Sequence, residues 1–305
     1  MVFADLKNDF VFRRVFATHP DILRGLLNDL LDRRGEQTIA SVEYLPSEQL
    51  PLVMGAKLSI LDVRCKDRAG TTFVVEMQLI HVPGFINRVV YNACKAYVSQ
   101  LKAGKPYTGL ADVVAISICD FELWPDAEQV RQGLPIVPML SRWNMTEHKS
   151  GNHGLLQVQY AFLELPKLPE HKPETGGAAY WAWLFVHAPE LTEVPTDMPP
   201  GPYREALELA NEATFTQAER DAYQKVMDEI QQAREYGEVK LTEGAIKAKT
   251  DAVLAVLAAR GVAVSSEIRA QIVASKDAPT LDRWIARAAT VTSAAEVVAP
   301  LAERA

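Results

Sequence analysis

Asp62 and Glu76 lie on two neighbouring apolar runs, LSILDVRC and TTFVVEMQL, and Gln78 follows the glutamate on the second run. Two carboxylates can hold a hard divalent cation, Mg2+ or Mn2+, with waters completing the shell, and the Gln78 amide lies within reach of such a water or of a phosphate. A cation held in this way orients and acidifies a water and offsets charge developing on phosphate oxygens. The three side chains can cooperate only if they share one face of a sheet, which depends on the turn between the runs.

Strand side chains alternate between faces, so loop length decides the matter. A three-residue loop, Arg68-Ala69-Gly70 with Gly70 left-handed, is a common hairpin connection. It pairs Asp67 with Thr71 and sets Asp62 across from Glu76. Leu61, Val63, Cys65, Phe73, Val75, Met77 and Leu79 then form a core face, and Asp62, Arg64, Glu76 and Gln78 form the other. A two-residue loop splits the carboxylates between faces, and the apolar pattern favours the longer loop. Facing carboxylates with Cβ atoms roughly 5 Å apart repel unless something compensates. A bound cation is one compensation. A solvated strand face with Arg64 as counter-charge is the other, and spacing alone leaves both open.

Other elements must hold this hairpin in place. A helix begins near Lys7-Asn8-Asp9, carries Phe10, Val11, Val15 and Phe16, and breaks at Pro20-Asp21; a second runs from Ile22 to about Leu31. Ile39 to Leu45 reads as an edge strand. Residues 86–103 read as one helix, with Val90, Cys94, Tyr97 and Leu101 as its apolar seam. Arg88, Asn92, Lys95, Ser99 and Lys102 form its polar face, and Gly104 stops it. Val113 to Cys119 reads as a buried strand and Leu155 to Leu165 as a further strand. Tyr180 to Phe185 is an aromatic helix between two proline clusters. Beyond Pro202 the chain is helical, with breaks near Gly237, Gly261 and Pro279.

Bulk properties narrow the classes. The net charge is −7, and residues 1–150 hold 17 basic and 17 acidic side chains, so the whole negative excess lies in the second half. This argues against a protein that coats nucleic acid, while polyanion contact fits the first half better. No run approaches the ~20 apolar residues of a membrane span, and the first residues show no leader pattern, so a cytoplasmic location is expected. Cys65, Cys94 and Cys119 have no metal-ligand spacing and read as reduced, mostly buried thiols.

The segment Lys57-Leu58-Ser59-Ile60-Leu61-Asp62-Val63, the strand Val75-Glu76-Met77-Gln78 and Arg88-x-x-Tyr91 together resemble the PD-(D/E)XK nuclease family transposases, also called recombination-promoting nucleases (Rpn). The opening Lys7-Asn8-Asp9-x-x-Phe12-Arg13-x-x-Phe16 and the later Tyr97-x-x-Gln100-Leu101-x-x-Gly104-x-x-Tyr107 extend the resemblance, which is clear over residues 5–125. It implies an α/β fold with a restriction-endonuclease-like core, a mixed sheet flanked by helices, followed by a helical C-terminal region. The expected domains are a nuclease-like domain over 1–200 and a helical region over 201–305 that serves self-association. The resemblance also implies metal-dependent DNA endonuclease activity linked to recombination, with no organic cofactor. It places the metal carboxylates at Asp62 and Glu76 and the signature's usual lysine at Gln78. Lys57 is a substitute cation, and Asp9 a further carboxylate for the metal, as first-helix acids are in relatives.

Arg88 and Lys95 are candidates for phosphate contact, with Tyr91 at the edge of the site. His81 reads as a loop residue, and Trp181 and Trp183 as packing rather than base-stacking residues. A homodimer would help cut both strands of a duplex. The competing function is a catalytically weak or inactive DNA- or protein-binding module on a nuclease fold, motivated by the glutamine at position 78.

Overall fold

Asn8 starts the first helix, α1 (Asp9–Phe16): its side-chain oxygen accepts the N–H groups of Phe10 and Val11 at 3.0 and 3.4 Å. Those are donors that a helix start otherwise leaves unpaired. Asn8→Ala is expected to lower stability by about 1–2 kcal/mol, read from urea unfolding. The computed structural model describes residues 2–46, 62–101 and 104–299, with the backbone alone of 48–49 and 59–60.

The second helix, α2 (Pro20–Leu30), opens on a proline, whose missing N–H costs nothing in the first turn. Then come β1 (Val42–Tyr44), β2 (Glu48–Gln49), β3 (Ser59–Ile60), β4 (Val63–Asp67), β5 (Thr72–Gln78), α3 (Phe85–Val98), β6 (Val113–Cys119), α4 (Asp126–Gln132), β7 (Leu140–Met145) and β8 (Leu155–Glu164). Six strands form one sheet in the order β1-β4-β5-β6-β8-β7. Its centre, β5-β6-β8, is parallel, and antiparallel pairs close both sides. The pair β2-β3 stands apart.

The hairpin has the expected register. Val63 pairs with Val75 and Lys66 with Thr72. Gly70 donates its N–H to the Asp67 carbonyl at 3.1 Å and Asp67 donates to Thr71 at 3.1 Å. Gly70 sits at φ +91°, which a side chain would strain.

Helices cover both faces of the sheet. Val63, Cys65, Phe73, Val75 and Met77 pack with α1, α2 and the aromatic helix α5 (Ala178–His187). Val74, Val113, Ala115, Cys119 and Phe162 pack beneath α3. Coverage on both sides explains why β6 is buried along its whole length. Trp181 is fully buried and donates its indole N–H to Asp29 at 3.0 Å, so it serves packing.

The packing of α3 differs from expectation. Its buried side is Phe85, Val89, Asn92, Ala93, Lys95 and Ala96, while Val90 and Cys94 of the expected seam are exposed. Two alanines let the helix lie close to the sheet, and the sheet below it carries Glu76, which draws polar side chains inward. Lys102 of the expected polar face, like Lys57, Leu58 and Leu61, lies outside the described residues.

The remaining helices are α6 (Tyr203–Leu209), α7 (Gln217–Ala259), α8 (Ser266–Ala274), α9 (Ala278–Ala288) and α10 (Ala294–Val298). The break expected near Gly237 is not there: α7 runs through it, since one glycine costs a helix only about 1 kcal/mol. The break at Gly261, left-handed at φ +69°, is present. The chain divides into two compact units, Met1–Asp228 and Glu229–Ala305. The first holds the sheet. The second has its own small core of Val253, Leu257, Ile272, Ala288 and Val297, so Val253 and Leu257 are packing residues. No described helix is long and apolar enough to cross a membrane.

Candidate active site

The hairpin register, continued one residue past Val63↔Val75, sets Asp62 across from Glu76. At Asp62 the regular strand has ended. Its Oδ2 accepts the backbone N–H of Met77 at 2.7 Å, which fixes that oxygen against β5. Its Oδ1 faces the Arg13 guanidinium, with Nη2 at 3.2 Å. Asp9, one turn before Arg13, has its Oδ1 3.2 Å from the Arg13 Nε. The capped start of α1 therefore brings a second carboxylate up to Asp62. Burial, and then the charge of Asp9, push the Asp62 carboxyl up to about 7, against the pull of the Met77 N–H and Arg13.

Glu76 lies between the sheet and α3 and is 8% exposed. This removes the reading of a solvated strand face. Asn92 donates its side-chain N–H to Glu76 Oε1 at 2.8 Å, and Arg88 Nη2 stands 4.0 Å from Oε2. Burial pushes the Glu76 carboxyl up, opposed by the Arg88 charge and the Asn92 hydrogen bond. Gln78 accepts a hydrogen bond from Arg88 through its amide oxygen and donates to the Ile80 carbonyl at 3.3 Å. Arg88 thus ties the last two polar side chains of β5 to the start of α3.

Among the residues expected at the site, Asp9 and Asp62 meet through Arg13, while Glu76, Gln78 and Arg88 form a second group on the α3 side; the Met77 N–H on Asp62 links the first group to β5. Lys95 lies on the buried side of α3, 5% exposed, with its ammonium 5.7 Å from the centre of the Tyr91 ring. Tyr91 itself is 42% exposed. Lys57 lies outside the described residues. Gln100 clamps the backbone of Ala111 through both ends of its amide, at 2.9 and 3.0 Å, a structural role. His81 packs edge-on against Phe121, with centroids 5.1 Å apart. Among the described residues no three His, Cys, Asp or Glu side chains stand together as a ready metal cage.

Asn92 is expected only on the polar face of its helix and Arg13 only within the opening motif; the structure adds both to the site. Each sits four residues after a site residue on its own helix, Arg13 after Asp9 and Asn92 after Arg88, which places it on the same face. That periodicity is the signal that could have found them.

The sheet, the two helices that converge on the hairpin and the carboxylates at its open end define a nuclease-type core. The chain belongs to the PD-(D/E)XK nuclease family transposases, whose family model matches residues 6–235. The match takes in the whole sheet and every side chain of the site. Its mixed six-stranded sheet flanked by helices is the restriction-endonuclease-like arrangement the sequence implied. Comparison with curated proteins and with solved structures gives no match.

Proposed function

We propose that this chain is a metal-dependent DNA endonuclease that hydrolyses phosphodiester bonds during recombination-linked DNA processing, with Mg2+ as its ion and Mn2+ as a substitute. The observation that carries the reading is a nearly buried Glu76 set by register across from Asp62, with Asp9 brought against Asp62 from another element. The donors are hard oxygens, and burial leaves both Asp62 and Glu76 reluctant to ionise despite the nearby Arg13 and Arg88. Such a set suits Mg2+, which takes one or two carboxylates and keeps waters. Asp62 and Glu76 are the ligands, with Asp9 as a further carboxylate. The ion supplies acidification of a water and neutralisation of charge developing on the phosphoryl oxygens.

The chain's own residues do the positioning. Met77 N–H aims Asp62, and Asn92 aims Glu76. Gln78 is neutral, so it orients the attacking water through its amide and leaves the compensating charge to Arg88 and to Lys57. Arg88 and Tyr91, the exposed members of the set on α3, form the DNA-contacting group, whereas Lys95 is too deeply buried to reach phosphate. Self-association of two chains would present a site to each strand.

Asp62→Ala is expected to lose metal-dependent cleavage of plasmid DNA, and full retention contradicts the assignment. Asn92→Leu removes the donor that holds the Glu76 carboxylate ionised. Its acidic limb of the pH–rate profile is expected to move to higher pH, with roughly ten-fold less activity at neutral pH, measured with the same plasmid across buffers.

The engagement of both ends of the Gln78 amide favours a second reading, a non-catalytic DNA- or protein-binding module. On that reading the Asp62→Ala/Glu76→Ala double mutant binds DNA as the wild type does, and the native protein turns over no DNA with either metal.

A further inference from the structure

The half-exposed Arg13 side chain, at 44%, reaches the less exposed Asp62, at 14%, and grips Asp9 with the same guanidinium. The two contacts use different nitrogens, Nε on Asp9 Oδ1 and Nη2 on Asp62 Oδ1, each at 3.2 Å. This is the planar fork that distinguishes arginine from lysine. The other oxygen of Asp62 is fixed by the Met77 N–H at 2.7 Å. Oδ1 is therefore the oxygen left to meet a ligand, and Arg13 stands on it. The neighbours of Arg13 on α1, Val11, Phe12, Val15 and Phe16, are fully buried, so the helix is anchored and the Arg13 side chain alone can leave. An ion pair this exposed on one side is weak, so a divalent ion can displace it.

Resting on the nuclease reading, we propose that Arg13 is an exchangeable internal cation: it holds Asp9 and Asp62 when no metal is bound, and moves to a DNA backbone phosphate when a divalent ion takes its place. The freed guanidinium is then a bidentate phosphate partner beside the metal. Metal and DNA binding are thereby coupled: each strengthens the other through one side chain, and the coupling is reciprocal. Arg13 acts as a positioning residue that adds order to the assembly, with metal before phosphate.

The test titrates Mn2+ by electron paramagnetic resonance at pH 8.0 under nitrogen. Wild type, Arg13→Gln, Arg13→Lys and Glu76→Gln are compared. A labelled DNA duplex is then titrated by fluorescence anisotropy, with Ca2+ or with EDTA. Arg13→Gln is expected to bind Mn2+ about 5–10-fold more tightly, the scale of a typical coupling free energy, and Arg13→Lys to fall between it and wild type. The increase in duplex affinity that Ca2+ gives the wild type is expected to shrink in Arg13→Gln. Mn2+ affinity unchanged or weaker in both Arg13 variants, with Glu76→Gln still weakening it, overturns the exchange and leaves the nuclease reading intact. A wild type that binds no Mn2+ overturns both. Should Arg13→Gln fail to fold, Arg13→Lys decides by the same comparison.

Discussion

Glu76→Gln is expected to lower metal-supported DNA cleavage by about a thousand-fold or more while leaving the fold in place. A divalent ion contributes several kcal/mol of charge stabilisation to a phosphoryl transition state, and each 1.36 kcal/mol is about a factor of ten in rate. Glu76, like Asp62, is largely buried, with side chains 11% and 14% exposed. Its neutral isostere keeps an oxygen for the Asn92 hydrogen bond but removes the charge that would bind the ion. Because burial already works against the Glu76 charge, the substitution is expected to leave stability unchanged or to raise it. Thermal unfolding measured beside the cleavage assay separates loss of chemistry from loss of structure. A variant that melts like the wild type and cleaves like it contradicts the assignment.

Asp62→Asn is expected to stabilise the protein, and by an amount that depends on pH. In the unfolded chain an aspartate titrates near 3.9, whereas in the fold burial and Asp9 push Asp62 up to about 7. Between those values the folded state holds a proton that the unfolded state does not. Unfolding then releases a proton, so stability falls as pH rises from about 4 to about 7 and levels off above. Below pH 4 the group is protonated in both states and contributes no pH dependence. Three pKa units correspond to a ceiling of about 4 kcal/mol, and partial solvation of Asp62 reduces this to about 2–3 kcal/mol. Asparagine carries no such charge at any pH. Asp62→Asn is thus expected to melt close to wild type at pH 4 and roughly 5–10 °C higher at pH 8, measured by circular dichroism without added metal. The same stability gap at both pH values would show that the buried charge at Asp62 is not the cause.

The hairpin was legible because its pattern leaves little freedom. Apolar residues alternate cleanly on both runs, and Gly70 fits the one left-handed position that a three-residue turn needs. Those facts fixed the register and, with it, the pairing of Asp62 with Glu76. The start of α1 was legible from the apolar stripe that opens at Phe10, and the structure adds the Asn8 cap that holds it there. The orientation of α3 was not. Its inward side is marked by Ala93 and Ala96, which carry weak hydrophobic signal, while Val90 and Cys94 point outward. Periodicity therefore selected the wrong stripe, and only the buried Glu76 explains why Asn92 lies inside. Gly237 illustrates a local rule yielding to its context, since a long helix absorbs the small cost of one glycine. The Arg13 contact joins residues 49 apart in sequence, and no local pattern encodes such a meeting. The Asp9 to Arg13 spacing was visible in the sequence, but its meaning depends on where the end of β4 lies.

Metal-dependent hydrolysis is read from cleavage of supercoiled plasmid by the purified protein in Mg2+, in Mn2+ and in EDTA. Conversion to nicked or linear DNA is expected in either metal, and none in EDTA. No cleavage in either metal by folded protein that still binds the plasmid would contradict it and would point to the binding module.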